Sequence, residues 1–109
     1  MATAYKALGQ VAPSATTDTT LYTVPTGAQA VVSALLAVNR STSAVTVRVA
    51  VRPDGATLAN EHYVAYDVPL SANQVLGLPS GLSLGEGDVL TVRASSADTS
   101  FSAFGVELT

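Results

Sequence analysis

The run Ala44 to Arg52 alternates without a break: Val45, Val47, Val49 and Val51 fall on one side of an extended chain, with Thr46, Arg48, Ala50 and Arg52 on the other. Successive side chains of a strand point to opposite faces, so this period of two describes a strand with one buried face. Pro53-Asp54-Gly55 closes it with residues suited to a tight turn. The rhythm recurs along the whole chain. Tyr5 to Val11, Thr20 to Val24, Ala28 to Val38, His62 to Val68, Gln74 to Leu78, Leu82 to Leu84, Val89 to Ala94 and Phe101 to Leu108 are short apolar runs. Pro, Gly, Asn, Asp and Ser clusters separate them. Strands at such regular spacing predict an all-β fold, a single β-sandwich of about eight antiparallel strands over residues 1–109. Residues 1–12 are expected to be an N-terminal arm or an edge strand.

One run departs from the pattern. Ala28 to Val38 is apolar on both parities, with Ala30, Val32, Ala34, Leu36 and Val38 on one and Val31, Ser33, Leu35 and Ala37 on the other. A two-layer sandwich covers one face of each sheet with its own core. A strand apolar on both faces therefore predicts a neighbour against the second. The competing reading is a short buried helix over Ala30 to Val38, which needs no neighbour, because periodicity does not separate short apolar strands from helices. Pro25, Gly27 and Asn39 at its flanks and three valines inside favour the strand.

Composition narrows the function classes. Only 12% of residues are charged and 48% are hydrophobic, against about 25% charged in an average domain. The net charge is −3, Lys6 is the only lysine, and Arg40, Arg48, Arg52 and Arg93 are scattered. No basic patch is available for a phosphate backbone, so a nucleic-acid partner is not expected. Cysteine is absent, which excludes disulfides and thiolate metal sites. The first residues lack the charged-then-apolar order of a signal peptide, and the longest apolar run is too short to span a bilayer. A protein made in the cytoplasm, with no membrane partner, is the expectation.

The catalytic inventory is thin. His62 is the single histidine, and strand geometry puts Asp67 on the opposite face from it. Serines are abundant, but none sits in a G-x-S-x-G elbow. The carboxylates fall mainly at turns, where Asp usually bonds nearby backbone, and a calcium ion between Asp54 and Asp88 has no ligand spacing behind it. Gly85-Glu86-Gly87 lacks the third glycine of a dinucleotide fingerprint and leads into a strand. Asn39-Arg40-Ser41 matches a glycosylation sequon, read as accidental where no secretory signal is seen. The expectation is a protein that is not an enzyme and uses no metal or cofactor. Arg48 and Arg52 project from the polar side of the valine strand, either as a solvated face or as partners for carboxylates on another subunit. The candidate subunit interface is Val31, Leu35, Leu36, Arg48 and Arg52. Tyr63 and Tyr66 are candidates for a sugar-stacking surface.

The order of the pieces resembles a known group. Leu21-Tyr22-Thr23-Val24-Pro25-Thr26-Gly27 precedes the apolar strand, Leu82-Ser83-Leu84-Gly85-Glu86-Gly87-Asp88-Val89-Leu90 follows the valine strand, and Phe104-Gly105-Val106-Glu107-Leu108 closes the chain. This resembles small virion structural proteins of tailed bacteriophages, over nearly the whole chain. The Gly87-Asp88-Val89-Leu90 turn also looks like a step in jelly-roll sandwiches. The resemblance implies a jelly-roll-like sandwich located in the virion. Its expected role is a capsid decoration or cement protein, partnered by itself as a homotrimer and by the major capsid or other virion proteins. The alternative is a tail, neck or fibre component that binds a receptor or carbohydrate.

Overall fold

A computed structural model describes residues 2–79 and 81–109. Nine strands make up the regular structure: β1 (Thr3–Val11), β2 (Thr19–Thr23), β3 (Gln29–Asn39), β4 (Val45–Arg52), β5 (Tyr63–Leu70), β6 (Val75–Gly77), β7 (Leu82–Leu84), β8 (Val89–Ala94) and β9 (Thr99–Leu108). Two short 3-10 turns, Pro53–Gly55 and Asn60–His62, lie between β4 and β5. The segment expected to be a strand or a short helix is a strand, the longest of the nine.

All pairings are antiparallel and fall into two sheets. Sheet A has the order β1-β9-β3, with β6 and β7 both on the far side of β3; sheet B has the order β2-β8-β4-β5. β6 and β7 are two pieces of one course along β3. Leu36 faces Gly77 and Val32 faces Leu82, with Pro79, which cannot donate to a ladder, in the gap. Apart from the β4–β5 pair and the split β6–β7 course, each step along the chain crosses from one sheet to the other. That connectivity is a jelly-roll sandwich, in which eight strand positions form two packed sheets.

The core lies between the sheets. Val47 and Val49 of β4, Leu90 and Val92 of β8, Val32 and Leu35 of β3, and Phe101 of β9 are fully buried there. In β4 the valines point inward as the sequence predicts, with Val45, Val47 and Val49 buried and Val51 half-buried, although Ala50 on the other parity is buried as well. β3 obeys it only in part. Its register against β9 shifts between Val32 and Ala34, leaving Ser33 as an extra residue. A bulge of this kind reverses the parity beyond it. Ala30 and Val32 point inward before it; Leu35, Ala37 and Asn39 point inward after it. Gly105, opposite Val32, makes the bulge sterically feasible, because a Cβ there would collide with the Val31 carbonyl oxygen. The Ser33 hydroxyl donates to the Phe104 carbonyl at 3.2 Å.

β1 bulges at the same level of β9, between Ala7 and Gly9, and β2 bulges between Thr20 and Tyr22. Gly9 sits where β1 crosses β2, too near the Leu21 carbonyl for any side chain. At the end of β3, the buried Asn39 amide donates to the carbonyls of Ser43, Leu70 and Ser71 and accepts from the Ser41 N–H and hydroxyl. This side chain replaces the ladder where the strand stops, and its nitrogen is not available as a glycosylation acceptor.

Candidate interaction surface

Cross-strand pairs share a face, so the register of sheet A defines its outer surface. Tyr5, Val106 and Val31 form one row across β1, β9 and β3; Ala7, Phe104 and Ala34 form the next. Leu36 and Val38 extend the surface along β3, with Val75 of β6 beside Val38. Tyr5 is 83% exposed, Val75 62%, and Phe104 and Val38 each 37%. The same registers place Gln10, Ser102 and Ser100 on this face, with Gln10 donating to the Ser102 hydroxyl and Arg40, just past β3, to that of Ser100. Among the described residues the charged side chains of the strands themselves, Lys6 and Glu107, lie on the opposite parity. Single exposed apolar residues are ordinary, whereas a contiguous apolar face marks a contact surface. A shallow depression of about 310 Å³ at one end of the face is bordered by Val31, Ser83 and Leu108.

The outer face of sheet B has the opposite character. Arg48 of β4 and Arg93 of β8 are direct cross-strand neighbours. Arg48 donates to both carboxylate oxygens of Asp67 at 2.6 and 3.2 Å, and its guanidinium lies 4.2 Å from the centre of the Tyr66 ring. Tyr66 meets Tyr63 edge to face, centroids 4.9 Å apart. This arrangement depends on an irregularity in β5. Asp67 has a φ of +49°, a left-handed conformation that Asp tolerates better than most residues. With Val68 facing Val47 and Ala65 facing Val49, both Tyr66 and Asp67 reach Arg48. The Arg48 guanidinium holds the Asp67 carboxyl below the usual range, and Asp67 raises Arg48 in return.

The five candidate interface residues therefore separate. Val31 and Leu36 lie on the outer face of sheet A, half-buried. Leu35 does not: it is 1% exposed and belongs to the core. The expectation for Leu35 fails because strict alternation puts it beside Val31, and the bulge at Ser33 turns it inward. Arg48 is engaged by Asp67 of its own chain. Arg52 donates to the Thr91 hydroxyl and to the carbonyls of Gly55 and Ala56, bracing its own turn. The sequence reading also missed Tyr5, Phe104, Val106 and Val75. The available signal was the second half of β9, where Phe104 and Val106 occupy the parity that the two-layer core does not use.

A polar cluster lies at the β1 edge of the sandwich. Glu107 of β9 accepts from the Tyr22 hydroxyl at 2.5 Å and from the Lys6 ammonium at 2.8 Å, joining β2, β9 and β1. Lys6 and then Tyr22 hold the Glu107 carboxyl below its ordinary range. Burial, reinforced by the adjacent carboxylate, pushes the Tyr22 phenol well above its usual value.

The remaining chemical candidates have structural partners. His62 Nδ1 accepts from the Ala59 N–H at 3.0 Å, and Asp67 is taken by Arg48, so the two do not form a catalytic couple. Asp54 and Asp88 do meet, but the Asp88 carboxylate accepts from the Asp54 and Gly85 N–H groups at 2.9 and 2.8 Å. Among the described residues no cluster of three metal-ligating side chains is found. Among the described residues no helix is long and apolar enough to cross a membrane. No family model, curated protein or solved structure matches the chain.

Proposed function

We propose that this chain is a non-enzymatic structural subunit of a tailed-phage particle, a decoration or cement protein that stabilises the capsid by packing its apolar sheet face against neighbouring subunits. It is made in the host cytoplasm and resides in the virion. Its partners are further copies of itself, arranged as a trimer, and the major capsid protein. The observation that supports this reading is the outer face of sheet A, which is largely apolar from Tyr5 across Val106 and Phe104 to Leu36 and Val75, broken by Gln10, Ser102 and Ser100 of β1 and β9, while the outer face of sheet B is charged. Removing apolar surface from water stabilises an interface by about 25 cal/mol per Å². A modest patch repeated over many copies therefore adds up.

The test is attachment to particles. Leu36→Asp and Val75→Asp place a charge on the face without entering the core. Both variants are expected to melt close to the parent and to lose co-sedimentation with capsids. Undiminished attachment by both sinks the reading.

The second reading, a tail, neck or fibre component that binds carbohydrate, is favoured by Tyr66. Its ring is 57% exposed, braced by Tyr63 and Arg48, as a stacking platform would be. Saturable glycan binding lost in Tyr66→Ala would select it.

A further inference from the structure

Sheet edges, unlike sheet faces, carry a row of main-chain donors and acceptors, and folded proteins usually blunt them with proline, bulges, charge or short strands. Three of the four edges here are blunted. The β6–β7 edge is two three-residue pieces separated by Pro79. β2 has five residues and a bulge. β5 contains two register breaks, Pro69 and the left-handed Asp67. β1 is different. Thr3 to Ala7 are five consecutive exposed residues with regular pairing to β9, no proline, and one charge. That charge, Lys6, is turned inward to Glu107.

The direction of the free groups follows from one pair. Ala2 and Thr109 exchange both main-chain hydrogen bonds, 2.8 and 2.9 Å. In an antiparallel ladder such pairs alternate with pairs whose N–H and C=O point away from each other. Ala4 and Lys6 therefore bond to β9, whereas Thr3, Tyr5 and Ala7 aim their N–H and C=O at the open edge. Their side chains are those on the apolar outer face.

We propose that this edge pairs with the same edge of a second copy, β1 against β1 about a two-fold axis, joining two copies of sheet A into one continuous sheet. The occupant is a second copy because an antiparallel edge is complementary to itself, and because Thr3 to Ala7, ahead of the bulge, is the longest unbroken run of pairing on any edge among the described strands. Centring the axis on Tyr5 brings Tyr5 opposite Tyr5 and Thr3 opposite Ala7. All three outward residues then bond, and Lys6 lies opposite Ala4 rather than another Lys6. Centring on Lys6 would oppose like charges, which is unfavourable. The pairing also continues the apolar outer face from one copy into the next, and it stands independently of the virion reading.

Tyr5→Pro removes one outward N–H that the fold of a single copy does not use, an edge position where proline is tolerated. Sedimentation of the full chain over a wide concentration range is expected to show the parent at twice the mass of Tyr5→Pro, two copies against one or two trimers against one. Residue-resolved hydrogen exchange on the parent needs no variant to fold. The Thr3, Tyr5 and Ala7 amides should gain protection as concentration rises, while the Ala4 and Lys6 amides are protected throughout. A monomer at every concentration, with the Tyr5 amide unprotected, overturns self-pairing and leaves the edge to a strand of another protein. A trimer whose mass Tyr5→Pro leaves unchanged, with the Tyr5 amide still unprotected, also overturns it, and places self-association on the packing face instead.

Discussion

Leu35 and Leu36 are identical side chains one residue apart, yet one is sealed in the core and the other lies on the outer face. Leu35→Ala is expected to cost about 2–5 kcal/mol, the loss of buried methyl groups plus the cavity left behind. Leu36→Ala should cost far less, because its site is open on one side. Urea unfolding of the two variants measures the difference, and equal losses would contradict the bulge at Ser33. Gly105→Ala tests the same bulge from the facing strand. A methyl group there meets the Val31 carbonyl, so the two strands must separate, and a clear fall in melting temperature is expected. Arg48→Ala, by contrast, should change stability little despite its short contact with Asp67, since surface ion pairs contribute weakly.

Among the elements, β1 has the least cover. Its first half is exposed on both faces and is held by its ladder to β9 and by the Lys6–Glu107 bridge. The Glu107 carboxyl is held below its ordinary range in the folded chain, by Lys6 first and Tyr22 second. Its contribution is therefore present at neutral pH and is lost as pH falls through that lowered value. Melting temperature should decline in acid more steeply for the parent than for Glu107→Gln; parallel curves would remove Glu107 from the acid response. Sequence alone does not place Glu107. A carboxylate near the end of the closing strand reads as solvent-facing, and its burial becomes intelligible only once Tyr22 and Lys6, distant in the chain, are brought to it.

At the scale of the whole molecule, the jelly-roll order puts β1 beside β9, so Ala2 and Thr109 are hydrogen-bonded neighbours. A circular permutant that joins residue 109 to residue 2 by a short flexible linker, and opens the exposed loop between Ala56 and Thr57, should keep the fold and melt within a few degrees of the parent. Loss of the fold would mean that the β4–β5 connection does more than link two strands. The all-β class, the turns and most strand positions are legible in residues such as Val45 to Val51, because a period of two and the conformational preferences of Pro, Gly and Asp act within a few residues. The apolar character of both faces of Ala28 to Val38 is legible for the same reason. Which leucine faces which way is not, since one extra residue in β3 reverses the parity and that residue is accommodated by Gly105, far along the chain. The contrast between a largely apolar outer face on sheet A and a charged one on sheet B, and the unbroken edge run at the start of β1, likewise arise only when strands distant in sequence are laid side by side. Local chemistry determined what the pieces are; long-range register decided which surfaces they leave open.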